Sequence, residues 1–378
     1  MTIYEEEHDL FRESFRSFLS DRVTPRFEEF EKAGIMDRSL YPEAGRHGFL
    51  GMAVPEEHGG GGVKDFRFNA VIDEELIYSG GGGGPGGFTL HNDVCTPYFI
   101  EYCDDEQAAR WLPGIATGEL ITAIAMTEPG TGSDLASIAT TAVRDGDEYI
   151  VNGAKTFITN GINSDLVIVV CRTGEGRSGL SLIVLERDMP GFERGRNLDK
   201  IGQHSGDTAE LFFDDVRVPA ANILGEEGHA LEYLQFNLAQ ERLSIGVTGL
   251  AAAEAALGWT VDYVKERQAF GQSIASFQNT KFELADVSTE VEVTRPFIEQ
   301  CITQLNAGEL SAAQAARAKL WGSELQGRTV DRCLQLFGGY GYMAEYPIGN
   351  AYVDARISRI YGGTSEIMKT IISKDVLG

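Results

Sequence analysis

Two stretches of this 378-residue chain combine residue types that could do chemistry. In Met126-Thr127-Glu128-Pro129-Gly130-Thr131-Gly132-Ser133-Asp134, small residues let backbone N–H groups and two hydroxyls approach an anion closely, as a pyrophosphate requires. Taken alone, the nonamer reads equally as an ordinary Gly-Pro turn. In Gln240-Glu241-Arg242-Leu243 an acid stands beside a base. Adjacent residues on a helix do not face each other, so an ion pair with Arg242 does not account for Glu241. The glycine run from Ser79 to Gly87 contains Gly-x-Gly-x-x-Gly as Gly81, Gly83 and Gly86. It follows a helical pattern, includes Pro85 and lacks a strand-turn-helix setting, which argues against a nicotinamide site and for a flexible loop. The six histidines form no metal-spaced pair, so no metal is expected, and there is no Gly-x-Ser-x-Gly elbow.

The elements that must position these residues change period twice. Up to about residue 120 the pattern is helical, broken by glycine-rich loops. Thr2 and Glu5 form a capping-box pattern ahead of Leu10, Phe11, Phe15, Phe18 and Leu19. From Ile121 the pattern turns to strands. Asp145-Gly146 and Asn152-Gly153 read as hairpin turns around Tyr149-Ile150-Val151, and 165–171, 180–185 and 210–213 read as further short strands. Beyond Gly228 the helical period returns, with no proline between Pro219 and Pro296 to interrupt long helices. Leu231, Leu234, Leu238 and Leu243 then mark a buried bundle face. The expected fold class is α+β, with an N-terminal helical domain (1–120), a middle antiparallel β domain (121–227) and a C-terminal helical bundle (228–378).

Composition sets outer limits. The 57 acidic and 32 basic residues give a formal charge of −25, which repels phosphate backbones and argues against nucleic acid. No apolar run approaches the roughly 18 residues of a membrane span. Glu5, Glu6, Glu7 and Asp9 do not suit a leader, and five scattered cysteines without Cys-x-x-Cys suggest reduced thiols. The expectation is a bacterial cytoplasm, or a mitochondrial matrix if a leader was removed.

The nonamer, followed by Phe157-Ile158-Thr159-Asn160, resembles the flavin-binding segments of the acyl-CoA dehydrogenases. So do Arg267-Gln268-Ala269-Phe270-Gly271, Gln278, Gln335-Leu336-Phe337-Gly338-Gly339 and the C-terminal Tyr361-Gly362-Gly363-Thr364-Ser365-Glu366, in that order. The resemblance covers essentially the whole chain. It is nearest to the long-chain type through Ala239-Gln240-Glu241-Arg242-Leu243 and 361–369. Most members carry their catalytic base just after the tyrosine, where this chain has Gly362; long-chain and isovaleryl types take it from a helical Glu-Arg pair, which Glu241-Arg242 matches.

The resemblance implies FAD as cofactor and a fold of helical domain, β domain and four-helix bundle. Met126, Thr127, Gly132 and Ser133 would contact the flavin and its pyrophosphate, with Phe157 against the ring and Thr159 near N5. Arg267, Phe270, Gln278, Gln335, Leu336, Gly338 and Gly339 would come from a neighbouring subunit, with Thr364, Ser365 and Glu366 completing the flavin contacts. Ser133, Gln240, Arg242, Gly362 and Gly363 would border the substrate, an acyl-CoA of medium to long chain, and Glu241 would take its α-proton. A homotetramer passing electrons to an electron-transfer flavoprotein follows from the same resemblance. A carrier-protein thioester dehydrogenase and a flavin monooxygenase or oxidase are the alternatives. The run at Ser79–Gly87 resembles a segment near the far end of the family's acyl tunnel.

Overall fold

The computed structural model describes residues 2–80, 86–176 and 179–378, so most of the glycine run, residues 81–85, lies outside the described residues. Seven helices come first: α1 (Glu6–Phe18), α2 (Phe27–Ala33), α3 (Leu40–Arg46), α4 (Phe66–Tyr78), α5 (Gly86–Thr89), α6 (Thr96–Tyr102) and α7 (Asp105–Thr117). A π-helical turn, residues 90–95, joins α5 to α6. Helix α1 starts later than the Thr2 pattern predicts. Its N-cap is Glu5, whose N–H donates to His8 Nδ1 at 3.2 Å. The reason is tertiary, because Tyr4 is drawn out of the helical path to donate its phenol to Glu74. Phe15, Phe18, Phe49 and Tyr41 form the core of this region.

Helix α4 lies between α1 and the C-terminal helices and is buried almost all round, acids included. Glu74 and Glu75 receive Arg12 and Arg16 from α1, and Arg295 bridges Glu74 and Glu254 from the opposite side. Removing charges from water is costly unless each is paired, which these are. This ionic layer, together with the packing of Phe66 and Ala70 against Leu243 and Ile298, joins the N-terminal helices to the bundle.

The strands are β1 (Thr122–Ala125), β2 (Thr141–Asp145), β3 (Glu148–Thr159), β4 (Leu166–Arg172), β5 (Leu180–Glu186), β6 (Phe192–Asn197), β7 (Thr208–Pro219) and β8 (Ile223–Leu224). They follow the order β6-β7-β3-β2-β4-β5-β8, with β1 beside β4. The sheet is mixed rather than antiparallel, since β1 runs parallel to β4 (Thr122 opposite Leu166) and β2 meets β4 in parallel at Thr141–Arg172. Asp145-Gly146 does turn the β2–β3 hairpin. Asn152-Gly153 does not turn: it is an irregularity inside β3, where Gly153 passes Thr140 so closely that a Cβ would lie 2.5 Å from its hydroxyl. The pairing of β3 with β7 extends both strands to 12 residues, well beyond the 210–213 read from sequence. In β4, Leu166, Ile168 and Val170 face α6 and α7 while Val167, Val169 and Cys171 face the sheet core, which is why it reads as an unbroken apolar run.

The C-terminal region holds α8 (Ala230–Glu266), α9 (Gln278–Asn306), α10 (Ala312–Phe337), α11 (Pro347–Asp354) and α12 (Ser365–Leu377). Helix α8 runs 37 residues without proline, whereas Pro296 is accommodated inside α9. By composition one window of α8 could cross a bilayer, but 61% of that window is packed inside the protein. Helices α8 and α10 meet backbone to backbone: a Cβ on Gly249 would stand 2.7 Å from Gly322. That approach brings the middles of both helices to the C-terminal turn described next.

Candidate active site

Glu241 lies in the N-terminal third of α8 and is only 6% exposed. Tyr98 of α6 donates its hydroxyl to Oε1 at 2.9 Å. Among the described residues nothing donates to Oε2, so one carboxylate oxygen is uncommitted. Burial pushes the carboxyl up to about 7, against the smaller opposing effects of the Tyr98 bond and the Arg242 charge. A group that ionises there exists as an acceptor and as an acid at neutral pH.

The turn Tyr361-Gly362-Gly363 sits on the same face of α8. Ile245, one helical turn beyond Glu241, comes so near Gly362 that a Cβ there would lie 2.3 Å from Ile245 Cδ1. Gly362 and Gly363 have φ of 62° and 98°, where glycine is favoured. The backbone thus favours glycine at 362, and a side chain there would require the end of Ile245 to shift. Arg242 Nε points at the Gly362 carbonyl from 3.5 Å, and the buried Lys319 of α10 donates to the Gly363 carbonyl at 2.6 Å. Thr364 caps α12, Ser365 donates to Glu324 of α10, and the exposed Glu366 folds back on the same helix start, which holds its carboxyl below the usual range. The hydrogen bonds of these three side chains are therefore made within the chain. Gln240 donates to the Asp93 carbonyl and so braces the π-helical turn.

A second group surrounds the nonamer. Lys155, fully buried on β3, donates to the Met126 carbonyl (3.0 Å) and to Glu128 (2.9 Å), whose carboxylate also accepts the N–H groups of Ala139 and Thr140. This interior pair holds the loop from behind. On its outer side, the hydroxyls of Thr127, Ser133 and Thr159 and the N–H groups of Gly132 and Ser133 make no hydrogen bond among the described residues. Phe157 is 67% exposed at φ 61°, an unusual conformation for an aromatic residue. Asn160, also at positive φ, is tied down by the carbonyls of Gly87 and Thr122 and by the hydroxyl of Tyr41. Unused donors around a bare aromatic face fit a pyrophosphate joined to a flat ring system.

The remaining predicted residues gather at the end of the bundle where α8 and α10 finish. Arg267 stacks over Tyr340 at 5.3 Å, Phe270 is 96% exposed and packs edge-on to Phe277, and Gln278, Gln335, Gly338 and Gly339 are exposed, with Leu336 half-buried. Among the described residues no hydrogen bond joins this cluster to the nonamer within the chain.

Sequence reading missed several residues that support the site. Tyr98 lies 143 positions from its carboxylate, and no local pattern announces it. Lys155 could have been found, since counting alternate positions from Tyr149 and Val151 puts a lysine on the inward face. Asp73 of α4 and Asp93 of the π-helical turn are both buried and bridged by Ser244, three residues beyond Glu241. Burial, and then the neighbouring Asp93 charge, raises the Asp73 carboxyl, and burial raises Asp93 as well. Replacing Tyr98 by Phe removes a bond that lowers the Glu241 pKa. Charge-assisted bonds are worth about 1.5–3 kcal/mol, so the carboxyl should titrate about one to two units higher. A pH titration of the carboxyl, followed by its infrared band, checks this, and an unmoved midpoint would refute it.

The chain was compared with known proteins. Sequence signatures described as the N-terminal, middle and C-terminal domains of acyl-CoA dehydrogenase match residues 5–119, 123–216 and 228–377. The mitochondrial long-chain specific acyl-CoA dehydrogenase of Sus scrofa is 47% identical over 99% of this chain and 87% of its own. The crystal structure of an acyl-CoA dehydrogenase from Geobacillus kaustophilus superimposes with a TM-score of 0.97 at 48% identity, covering 100% of both chains. An acyl-CoA dehydrogenase from Bacillus anthracis, complexed with FAD, does so with 0.93 at 30% identity, covering 99% of this chain and 67% of that one. FAD is the cofactor of this family. Along its whole length, then, this chain belongs to the acyl-CoA dehydrogenases, a family of oxidoreductases.

Proposed function

We propose that the protein dehydrogenates a fatty acyl-CoA of medium to long chain to the trans-2-enoyl-CoA, with Glu241 as the base. The observation that carries this is a buried carboxylate with one free oxygen, titrating near neutrality, on the face of α8 that meets the Gly362–Gly363 turn. A thioester α-proton is weakly acidic, so its removal needs a positioned base and donors where enolate charge builds. Glu241 supplies the first. The N–H groups of Gly362 and Gly363, unused among the described residues, supply the second. FAD, when bound, supplies the acceptor for the β-hydrogen as hydride. Thr127, Gly132 and Ser133 would hold its pyrophosphate, Phe157 and Thr159 its ring. Tyr98 keeps the carboxylate aimed.

The exposed cluster at Arg267, Phe270 and Gln278 supports a flavin site completed by a second copy of the chain, and the family resemblance makes the proposed assembly a homotetramer. An electron-transfer flavoprotein is the proposed acceptor, and five unpaired cysteines accord with a reducing compartment. The three regions 1–120, 121–227 and 228–378 are proposed as its domains.

The test is anaerobic titration of the flavin-loaded protein with saturated acyl-CoAs of increasing length. Bleaching of the flavin band is expected, greatest for the preferred chain. A band that dithionite bleaches and no acyl-CoA does would overturn the reading in favour of a carrier-protein thioester or an oxygen-using reaction.

A further inference from the structure

The Gly362–Gly363 turn is held in an unusual way. Both of its carbonyls point at cations, Gly362 at Arg242 of α8 and Gly363 at Lys319 of α10, while neither N–H has a partner among the described residues. Two consecutive glycines at positive φ would otherwise be the loosest part of the chain. Lys319 is fully buried, and its ammonium lies 2.6 Å from the carbonyl oxygen, so it has little freedom to let go. A cation on a carbonyl also polarises the peptide unit to which it belongs, which for the Arg242 contact is the unit carrying the Gly363 N–H; Lys319 acts on the turn through position. Its side chain can reach the turn because Gly246 of α8 stands against Ala318, with a Cβ only 3.0 Å from the Ala318 carbonyl, which seats α10 directly on the helix of the base.

We propose that Lys319 is a positioning residue for the acyl thioester. By gripping the Gly363 carbonyl it keeps the N–H edge of the turn presented to the thioester oxygen, without touching substrate itself. This rests on the dehydrogenase reading above. The charged groups around it are Arg242 of α8, Glu324 of α10 and Glu366 of α12, with Arg359 paired to Glu324 at 3.0 Å. Burial, aided by Arg242, lowers the ammonium to about 8. The charge is therefore present below that pH and lost as pH rises through it.

The experiment compares flavin-loaded wild type with Lys319→Met, which keeps the length and packing of the side chain. Expected is an unchanged flavin content, KM for acyl-CoA within about 3-fold, and kcat lower by about 10- to 100-fold, the scale of a misplaced reacting group. The wild-type decline of kcat above about pH 8 should be missing from the variant, a readout that a merely structural lysine would not move. Turnover within 2-fold of wild type, or an alkaline decline that persists in Lys319→Met, would overturn the inference alone. Failure of wild type to bleach with any acyl-CoA would overturn it together with the proposed function. If Lys319→Met does not load flavin, Lys319→Gln is measured against the same criteria.

Discussion

Glu241→Gln should lose dehydrogenation and gain stability in the same protein. As the proposed base, Glu241 has no counterpart at Gly362, which carries no side chain. Loss of a general base typically costs about 10² to 10⁴ in rate, read as the rate of anaerobic flavin reduction. Gln keeps the Tyr98 bond and the shape of the side chain, so flavin and assembly should persist. The stability change follows from the raised pKa. Below about pH 4.5 the carboxyl is protonated in the folded and unfolded chain alike. As pH rises to about 7 the unfolded chain ionises freely while the folded chain resists, and stability falls. Beyond that the cost is constant. At 1.36 kcal/mol per unit it amounts to about 2–4 kcal/mol, which the amide does not incur. The thermal midpoint of the variant should exceed that of wild type at pH 8, with the gap closing toward pH 4. A variant that still bleaches rapidly removes Glu241 from the reaction; one whose stability gap is independent of pH removes the buried charge as its cause.

The second large effect is expected at Lys155, which no part of the reaction touches. Met in its place leaves the Glu128 carboxylate buried beside two backbone N–H groups without its cation. Breaking a buried pair by removing one partner typically costs about 3–5 kcal/mol. The nonamer also loses the bond to the Met126 carbonyl that shapes its start. The expected result is a protein that unfolds at lower temperature and is isolated with less flavin. Glu128→Gln should also lower both, since its single amide oxygen can accept only one of the two N–H groups that the two carboxylate oxygens now serve. Equal flavin content in Lys155→Met and wild type would show that the loop is shaped without the lysine.

Much of this site was legible because its parts are local. A run of small residues bounded by a Gly-Pro turn says that a backbone can close on an anion, and the order of motifs from Met126 to Glu366 ties those parts to one family. The helical span around Glu241 follows from the lack of proline. What escaped were contacts across long separations. Asn152-Gly153 has the composition of a turn, yet β7 pairs across it and makes it a bulge, since only the partner strand decides between the two. The parallel pairing of β1 with β4 is invisible in strands of such length, because alternation specifies a face and not a neighbour.

Sequence alone settled that position 362 carries no base, that Glu241 stands in a proline-free helical stretch, and that the chain passes from helices to strands and back. These depend on residue type and on period, which the backbone reads within a few neighbours. The tertiary structure alone decided that Glu241 is buried with Tyr98 and titrates near 7, that Ile245 crowds position 362, and that Lys319 and Arg242 hold the turn. A carboxylate's acidity and a carbonyl's direction depend on which distant groups displace water around them, and only the packed chain brings those groups together.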